Sequence, residues 1–319
     1  MFQAAGDCKR GGWPRADGDN GRMQEIELKF QVPEPSHERL VQKLKSLGAR
    51  ICRMQAAYFD SEDRDLGRAG VALRLRREDG QWVQTLKARG EGLVQRLEHN
   101  VARTDAGERT PVLELAAHEE HPAGRALQRL LVQRGLVAGD LTVQYQTAFD
   151  RLAFHAVEPQ GLRVEVALDL GEVRAWPGGA LRCLPLRELE FELLEGALPR
   201  WLQWLRSWVQ PYGLWLDLRS KAERGDRLAR GLPPPVLEVR PQAALRLLLE
   251  GVLRHSAECI EGLGDARHHQ ALLRGLQALT GLAEIPPGKV DELSDLHHKL
   301  MGAAATEVPA LLGSARTQS

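Results

Sequence analysis

The stretch Glu25–Phe30, EIELKF, decides how this chain is read. Glu25, Glu27 and Lys29 share one side, and Ile26, Leu28 and Phe30 share the other. A period of two is the mark of a strand with one polar and one apolar face. Pro33 and Pro35 end the strand. Ser36 is the predicted N-cap of a following helix with apolar positions Leu40, Val41, Leu44 and Leu47, and Gly48 is its stop.

The same habit recurs downstream. Arg74 and Arg76 alternate with Leu73 and Leu75, and Lys87 shares a face with Thr85. Arg96, Glu98 and Asn100 align, as do Phe149 and Arg151. Arg163, Glu165 and Asp169 lie opposite Leu162, Val164, Val166 and Leu168. In RELEFELLEG, Glu188, Glu190 and Glu192 face away from Leu189, Phe191 and Leu193. An open antiparallel sheet with one solvated face gives this pattern. So does a closed barrel of about eight strands whose charged faces line a wet bore. The distribution of sign weakens the first reading and leaves the second open: the first and last strands carry carboxylates in i, i+2 pairs, and the middle strands carry mainly Arg and Lys.

Helices are expected from about Pro122 to Arg134 and after Pro199. The tryptophans of the latter, Trp201, Trp204 and Trp208, recur at helical spacing and read as packing against the outside of the sheet. The linker Gly231–Pro235, GLPPP, marks a boundary. Three helices follow: one around Leu245–Leu253, one from about Ala266 to Leu282, and one from about Val290 to Met301. The expected class is therefore α+β: an antiparallel sheet domain over 23–230 with outer helices, then a small all-α domain over 231–319. Residues 1–22, rich in Gly, Asp and Arg, read as a disordered tail or an upstream start-site extension, and the tail after Leu312, GSARTQS, as a disordered end.

Composition bounds the function. The 319 residues hold 43 Lys+Arg against 43 Asp+Glu, a balance that argues against a general nucleic-acid or membrane binder. Cys8, Cys52, Cys183 and Cys259 are scattered without disulfide or zinc spacing, as in a reducing cytoplasm. The histidines of the C-terminal region, among them His255, His268, His269, His297 and His298, lack chelating spacing and read as surface or core residues. Neither a GxxxxGK[ST] phosphate loop nor an HExxH zinc motif occurs.

Taken in order, these blocks resemble the CYTH, or triphosphate tunnel metalloenzyme, superfamily. Glu25-Ile26-Glu27-Leu28-Lys29 is similar to its ExExK signature. Tyr58-Phe59-Asp60 with Gly70–Arg76, Lys87, Gln95–Val101, Arg151, Glu165, Asp169 with Gly171, Glu190-x-Glu192 and Ser220-Lys221 follow in the family's sequence. The resemblance spans about 23–228 and is most like bacterial inorganic triphosphatases that carry a C-terminal CHAD-like helical domain. It implies an eight-stranded antiparallel tunnel barrel and metal-dependent hydrolysis of inorganic triphosphate.

A triphosphate carries several negative charges on a short rod, so it needs cations facing it from several sides. The substrate contacts implied are Arg74, Arg76, Lys87, Arg96, Arg151 and Lys221. Carboxylates beside a polyanion require a cation between them. Glu25, Glu27, Glu190 and Glu192 are the implied ligands of Mg2+ or Mn2+, and Glu25, Glu27 and Lys29 the implied catalytic group. Glu188 is an outer member of the acid set, and Glu98, Glu165 and Asp169 either complete the metal shell or, slightly favoured, pair with the tunnel arginines. The helical region after Pro235 holds slightly more acidic than basic residues and is short for a CHAD domain. It is therefore expected to serve packing, dimerisation or substrate access rather than polyphosphate binding. Two further readings stay open: another triphosphate (thiamine triphosphate, a nucleoside triphosphate, or ATP cyclised to cyclic AMP), and a non-catalytic polyphosphate- or nucleotide-binding module. The partner expected is a polyanionic small molecule, with a homodimer left open and no nucleic acid or membrane.

Overall fold

The structure is a computed structural model that describes residues 26–301, apart from 79, 90–95, 104–110 and 241, together with 307 and 312; the side chains of 89, 96 and 160 lie outside that description. Glu25 and both tail expectations also lie outside it.

The alternating segments form one antiparallel sheet. Its strands are β1 (Glu27–Gln31), β2 (Arg50–Asp60), β3 (Ala72–Glu78), β4 (Gln81–Arg89), β5 (Arg96–Arg103), β6 (Thr142–Glu158), β7 (Leu162–Ala175), β8 (Arg182–Glu195) and β9 (Trp215–Leu216). They are ordered β5-β4-β3-β2-β6-β7-β8-β1-β9. Eight are long, and β9 adds a two-residue edge beside Phe30 and Gln31 that the sequence pattern did not announce. Strands β1 and β8, the first and last of the alternating set, are direct neighbours, which sets Glu27 opposite Glu192 and Lys29 opposite Glu190.

The apolar face carries two separate cores. Over β1, β6, β7 and β8 lie α1 (Glu34–Ser46) and α4 (Leu198–Tyr212), which bury Leu40, Leu44, Trp201, Leu205 and Trp208 against Val166, Leu168, Leu189 and Phe191. The α4 tryptophans thus pack on the sheet's outside, as their spacing indicated. Removing a ring such as that of Trp201, 1% exposed, costs about 3–5 kcal/mol in comparable cores. Over β3 and β4 lies α3 (Pro122–Arg134), with Leu127, Leu130 and Leu131 on Leu73 and Leu86. The short α2 (Asp65–Arg68) adds Leu66 to this second core. Helix α1 begins at Glu34, with Pro33 at the N-cap position, so Ser36 is a buried residue inside the helix and not its cap. Two prolines in this segment favour the earlier start, because proline suits the first helical turn.

The opposite, polar face is also partly covered. Helix α5 (Lys221–Ala229) packs Ala222, Leu228 and Ala229 against Tyr58, Tyr145, Val173 and Ala175. The contact is close because position 225 is glycine: a Cβ there would stand 2.2 Å from the Tyr145 ring. Helices α6 (Leu245–Ile260), α7 (Ala266–Thr280) and α8 (Pro287–Met301) form a third core around Leu248, Val252, Leu272, Leu276 and Leu300. Trp215 of β9 packs into that core, tying the helices to the sheet edge. Among the described residues no helix is long and apolar enough to cross a membrane.

Between β4, β5 and the start of α3 lies a polar knot. Gln84 accepts through Oε1 from Arg103 (3.0 Å) and from the Glu114 amide (3.0 Å), and its Nε2 donates to the Glu114 carbonyl (2.9 Å). That orientation makes the Gln84 Nε2 contact to His118 Nε2 (2.9 Å) a donation, so the His118 proton sits on Nδ1 and is given to His99 Nδ1 at 3.0 Å. Burial, with His99 and His121 nearby, pushes the His118 pKa down to about 4. His118 is neutral in both the folded and unfolded chain above its ordinary pKa of about 6.5. Between that value and about 4 only the unfolded chain takes up the proton, so stability falls as pH falls. From about pH 7.5 to about 4.5 this site should remove on the order of 2–3 kcal/mol of unfolding free energy, and His118→Gln should lose that much less over the same interval. Denaturant titrations at the two pH values measure it; equal losses in the two proteins would show that His118 carries no such linkage.

Candidate functional site

Strand register brings the polar side chains of four strands into rows. Glu27 lies opposite Glu192, which lies opposite Glu165. Lys29 lies opposite Glu190. Gln31 lies opposite Glu188, Glu188 opposite Asp169, and Asp169 opposite Arg151. Direct cross-strand partners share a face, so these residues form one charged patch. Next to it the β6–β7 pair closes tightly at Gly171, opposite Phe149, where a Cβ would meet the Ala148 carbonyl at 2.1 Å. The Phe149 ring is flanked by Arg151 and by Lys221, whose ammonium is 5.5 Å from its centroid.

Lys221 is the centre of the patch. Ser220 caps α5 by accepting from the Glu223 amide, which fixes Lys221 at the first helical position. A cation there opposes the helix dipole and must be held by other charges. Three carboxylates do so: Nζ lies 2.8 Å from Asp169, 2.7 Å from Glu188 and 2.6 Å from Glu190. Arg151 forks onto Asp169 with two bonds of 2.7 Å and reaches Glu190 at 2.6 Å. Lys29 reaches Glu188 at 3.2 Å and donates to the Arg219 carbonyl. Arg224 reaches Glu188 from the other side at 2.8 Å.

Electrostatics follow this geometry. Burial acts to raise the Glu188 carboxyl, but Lys221, Lys29 and Arg224 overcome it and hold the group well below the usual carboxylate range. Burial acts to lower the Lys221 ammonium, and Asp169, Glu190 and Glu188 reverse that, raising it well above an ordinary lysine. Glu27 behaves oppositely: desolvation, then the charge of Glu190, pushes it up to about 7. Lys221 and Arg151 act to lower it and do not offset the desolvation and the neighbouring acids.

The sequence-derived candidates divide into three groups. Glu27, Lys29, Arg151, Glu190, Glu192 and Lys221 are brought together from the strands β1, β6 and β8 and from α5. Arg74, Arg76 and Lys87 lie on β3 and β4, where Arg74 donates to the Tyr58 hydroxyl (3.2 Å), Arg76 meets Glu78 (3.3 Å) and Lys87 meets Glu98 (2.7 Å). Register puts Tyr58 opposite Tyr145 and Arg74 opposite Tyr58, so the basic residues share the polar face. Arg96 is on β5 opposite Arg89, with its side chain outside the described part, and Glu25 is outside altogether. Sequence reasoning underrated Glu188 and Asp169. With Glu190 they are the described acidic group whose carboxylate oxygens lie within 4.8 Å of one another. Alternation placed Glu188 on the correct face, but only register shows that it sits beside Asp169 under Lys221. The His99–His118–His121 cluster was not singled out, and its network is structural. Of the C-terminal histidines, His255 contacts the Leu237 carbonyl (3.2 Å), His268 contacts Asp265 (2.8 Å) and His269 contacts the Leu300 carbonyl (2.9 Å).

The CYTH domain family matches residues 23–208, more than half of the chain. The chain belongs to the CYTH domain family. A curated relative, the inorganic triphosphatase of Haemophilus influenzae, is 29% identical over 213 residues, covering 65% of this chain and 55% of the relative. The chain thus spans about half the length of the curated relative it matches. Among solved structures, HpAC1 from Hippeastrum, described as having a dominant triphosphatase activity, is 18% identical and covers 66% of this chain and 98% of its own at a TM-score of 0.40. The PH1819 protein of Pyrococcus horikoshii is 19% identical, covering 63% and 97%, at 0.37. Likeness at that level adds nothing to the fold already set by register.

The Lys221 ammonium holds three carboxylates together, so its removal has a definite signature. Lys221→Met should lower stability at neutral pH by about 3–5 kcal/mol, the usual cost of stranding buried charge. Mg2+ should raise the melting midpoint of the variant more than that of the wild type. Thermal melts with and without Mg2+ measure both; a variant that melts with the wild type would remove Lys221 from the centre of the site.

Proposed function

We propose that the CYTH portion of this chain hydrolyses inorganic triphosphate to diphosphate and phosphate with Mg2+ or Mn2+. The observation that carries the reading is the division of charge on one face: carboxylates cluster on β1, β7 and β8, while Arg74, Arg76 and Lys87 lie across β2 and β6 on the same face. A polyanion and its counter-cation need both halves.

The residues present fit a divalent cation. The donors are hard carboxylate oxygens, as Mg2+ and Mn2+ prefer. In the described structure a positive group, the Lys221 ammonium, already stands among Asp169, Glu188 and Glu190. The elevated Glu27 carboxyl marks negative charge not yet compensated. Glu27, Glu190 and Glu192, with Glu25 preceding them, are read as the ligands, and Asp169 and Glu188 as their neighbours. When bound, the ion draws charge from phosphoryl oxygens and acidifies a water.

The protein's own groups do the rest. Arg74, Arg76, Lys87 and Arg96 are read as holding the phosphate chain, arginine by paired bonds and lysine as a point charge. Arg151 and Lys221 bring positive charge to the reacting end, where it stabilises charge moving to the leaving diphosphate. Lys29 keeps Glu188 and the first strand in place. Water oxygen bonds to the terminal phosphorus as the bridging P–O bond breaks; one water proton leaves and diphosphate departs. The inorganic substrate is favoured because aromatic rings on this face are already engaged. Tyr58 and Tyr145 stack on each other at 4.5 Å beneath α5, and Phe149 takes Arg151 and Lys221. The free cysteines Cys52, Cys183 and Cys259 suit a cytoplasmic enzyme, and the helices after 231 are read as packing and access elements, not as a polyphosphate site.

Phosphate release from triphosphate under Mg2+ tests the assignment. Glu190→Gln should lower kcat by about a hundredfold or more, while Arg74→Ala should act mainly on KM, raising it about tenfold. Chelator should abolish turnover. A Glu190→Gln enzyme with wild-type kcat would sink the proposal.

A further inference from the structure

A second set of buried charges lies against Glu188 and joins it to the C-terminal helices. Arg224 of α5 is 1% exposed. Its Nη1 donates to Glu188 Oε1 at 2.8 Å, and its Nη2 donates to the Pro185 carbonyl at 2.6 Å and pairs with Glu261 Oε1 at 2.7 Å. The other oxygen of Glu261 accepts from Arg219 at 2.9 Å. Arg219, also 1% exposed, forks onto Asp217, and its backbone carbonyl accepts from Lys29. Glu261 is the C-cap residue of α6, outside the family-matched span of 23–208.

We propose that Glu261 is a positioning residue for the triphosphatase site: it fixes Arg224 and Arg219, which in turn set Glu188 and Lys29. The kinetic consequence rests on the triphosphatase reading; the geometric consequence does not. Arg224 turns both terminal nitrogens to Glu188, the Pro185 carbonyl and Glu261, so it acts on the site through Glu188. Glu261 balances the two arginines. Without its charge, Arg219 and Arg224 face each other across a buried gap with one anion fewer, and like charges in low dielectric move apart. Arg224 then cannot keep its approach to Glu188, which changes one side of the carboxylate group that Lys221 gathers. Helix α6, whose Ala257 carbonyl also accepts from Gln31 of β1 at 3.4 Å, is in this way part of the site's support.

The test compares Glu261→Gln, Glu261→Asp and Glu223→Gln in the full chain. Glu223 is the control: it also joins α5 to α6, through Arg254 at 2.6 Å, but makes no contact with Glu188. Glu261→Gln should lower kcat for triphosphate at least about tenfold with KM within about threefold, the range seen when outer-shell partners are lost. Glu261→Asp should recover part of that loss, and Glu223→Gln should match the wild type. Equal kcat in Glu261→Gln and wild type, or an equal loss in Glu223→Gln, would overturn the proposal. Should the wild type release no phosphate from triphosphate, the activity reading falls, and crystal structures of the same variants decide the positioning. Displacement of Arg224 from Glu188 in Glu261→Gln alone upholds it, and an unchanged Arg224–Glu188 pair overturns it.

Discussion

The ammonium of Lys221 sits among Asp169, Glu188 and Glu190, and the acidic half of the polar face depends on that contact. Three carboxylates from adjacent strands repel one another strongly when little water reaches them. Glu188 is fully buried, so its charge survives only because Lys221, Lys29 and Arg224 surround it. The cluster therefore dictates the placement of α5, the helix that delivers both Lys221 and Arg224. Gly225 and the Tyr58–Tyr145 stack allow α5 to approach closely enough.

That constraint divides labour between the two faces of the sheet. The apolar face supplies stability, through α1 and α4 on one half and α3 on the other. The polar face is then free to hold charge that is not optimised for stability. Glu27, held near pH 7 by desolvation and Glu190, is such a group. A carboxyl raised in this way destabilises the fold at neutral pH, and functional sites tolerate that where an incoming cation can relieve it.

Much of this was legible in the chain. The alternation of EIELKF and RELEFELLEG gave the strand faces, and the order of motifs gave the family to which the chain belongs. The helix of tryptophans was readable from its spacing. What alternation does not specify is register. Gln31, Glu188, Asp169 and Arg151 form one row only because β1, β8, β7 and β6 pair with particular offsets, and those offsets depend on turns and bulges distributed along the whole sheet. Glu258 and Glu261 look like ordinary helix charges in HSAECIEGLG. Their contacts with Arg219, Arg224 and Arg227 arise from docking of distant elements, which leaves no local pattern. The start of α1 was misplaced for a local reason: Ser36 is a good cap, but the prolines before it begin the helix sooner.

The central claim is that this face is built for a bare triphosphate with a divalent cation. The most direct measurement is phosphate release from inorganic triphosphate, ATP and thiamine triphosphate side by side, with Mg2+, with Mn2+ and with chelator. The account predicts the highest kcat/KM for inorganic triphosphate and none with chelator. Release that is absent from all three, or greatest from ATP or thiamine triphosphate, would contradict it.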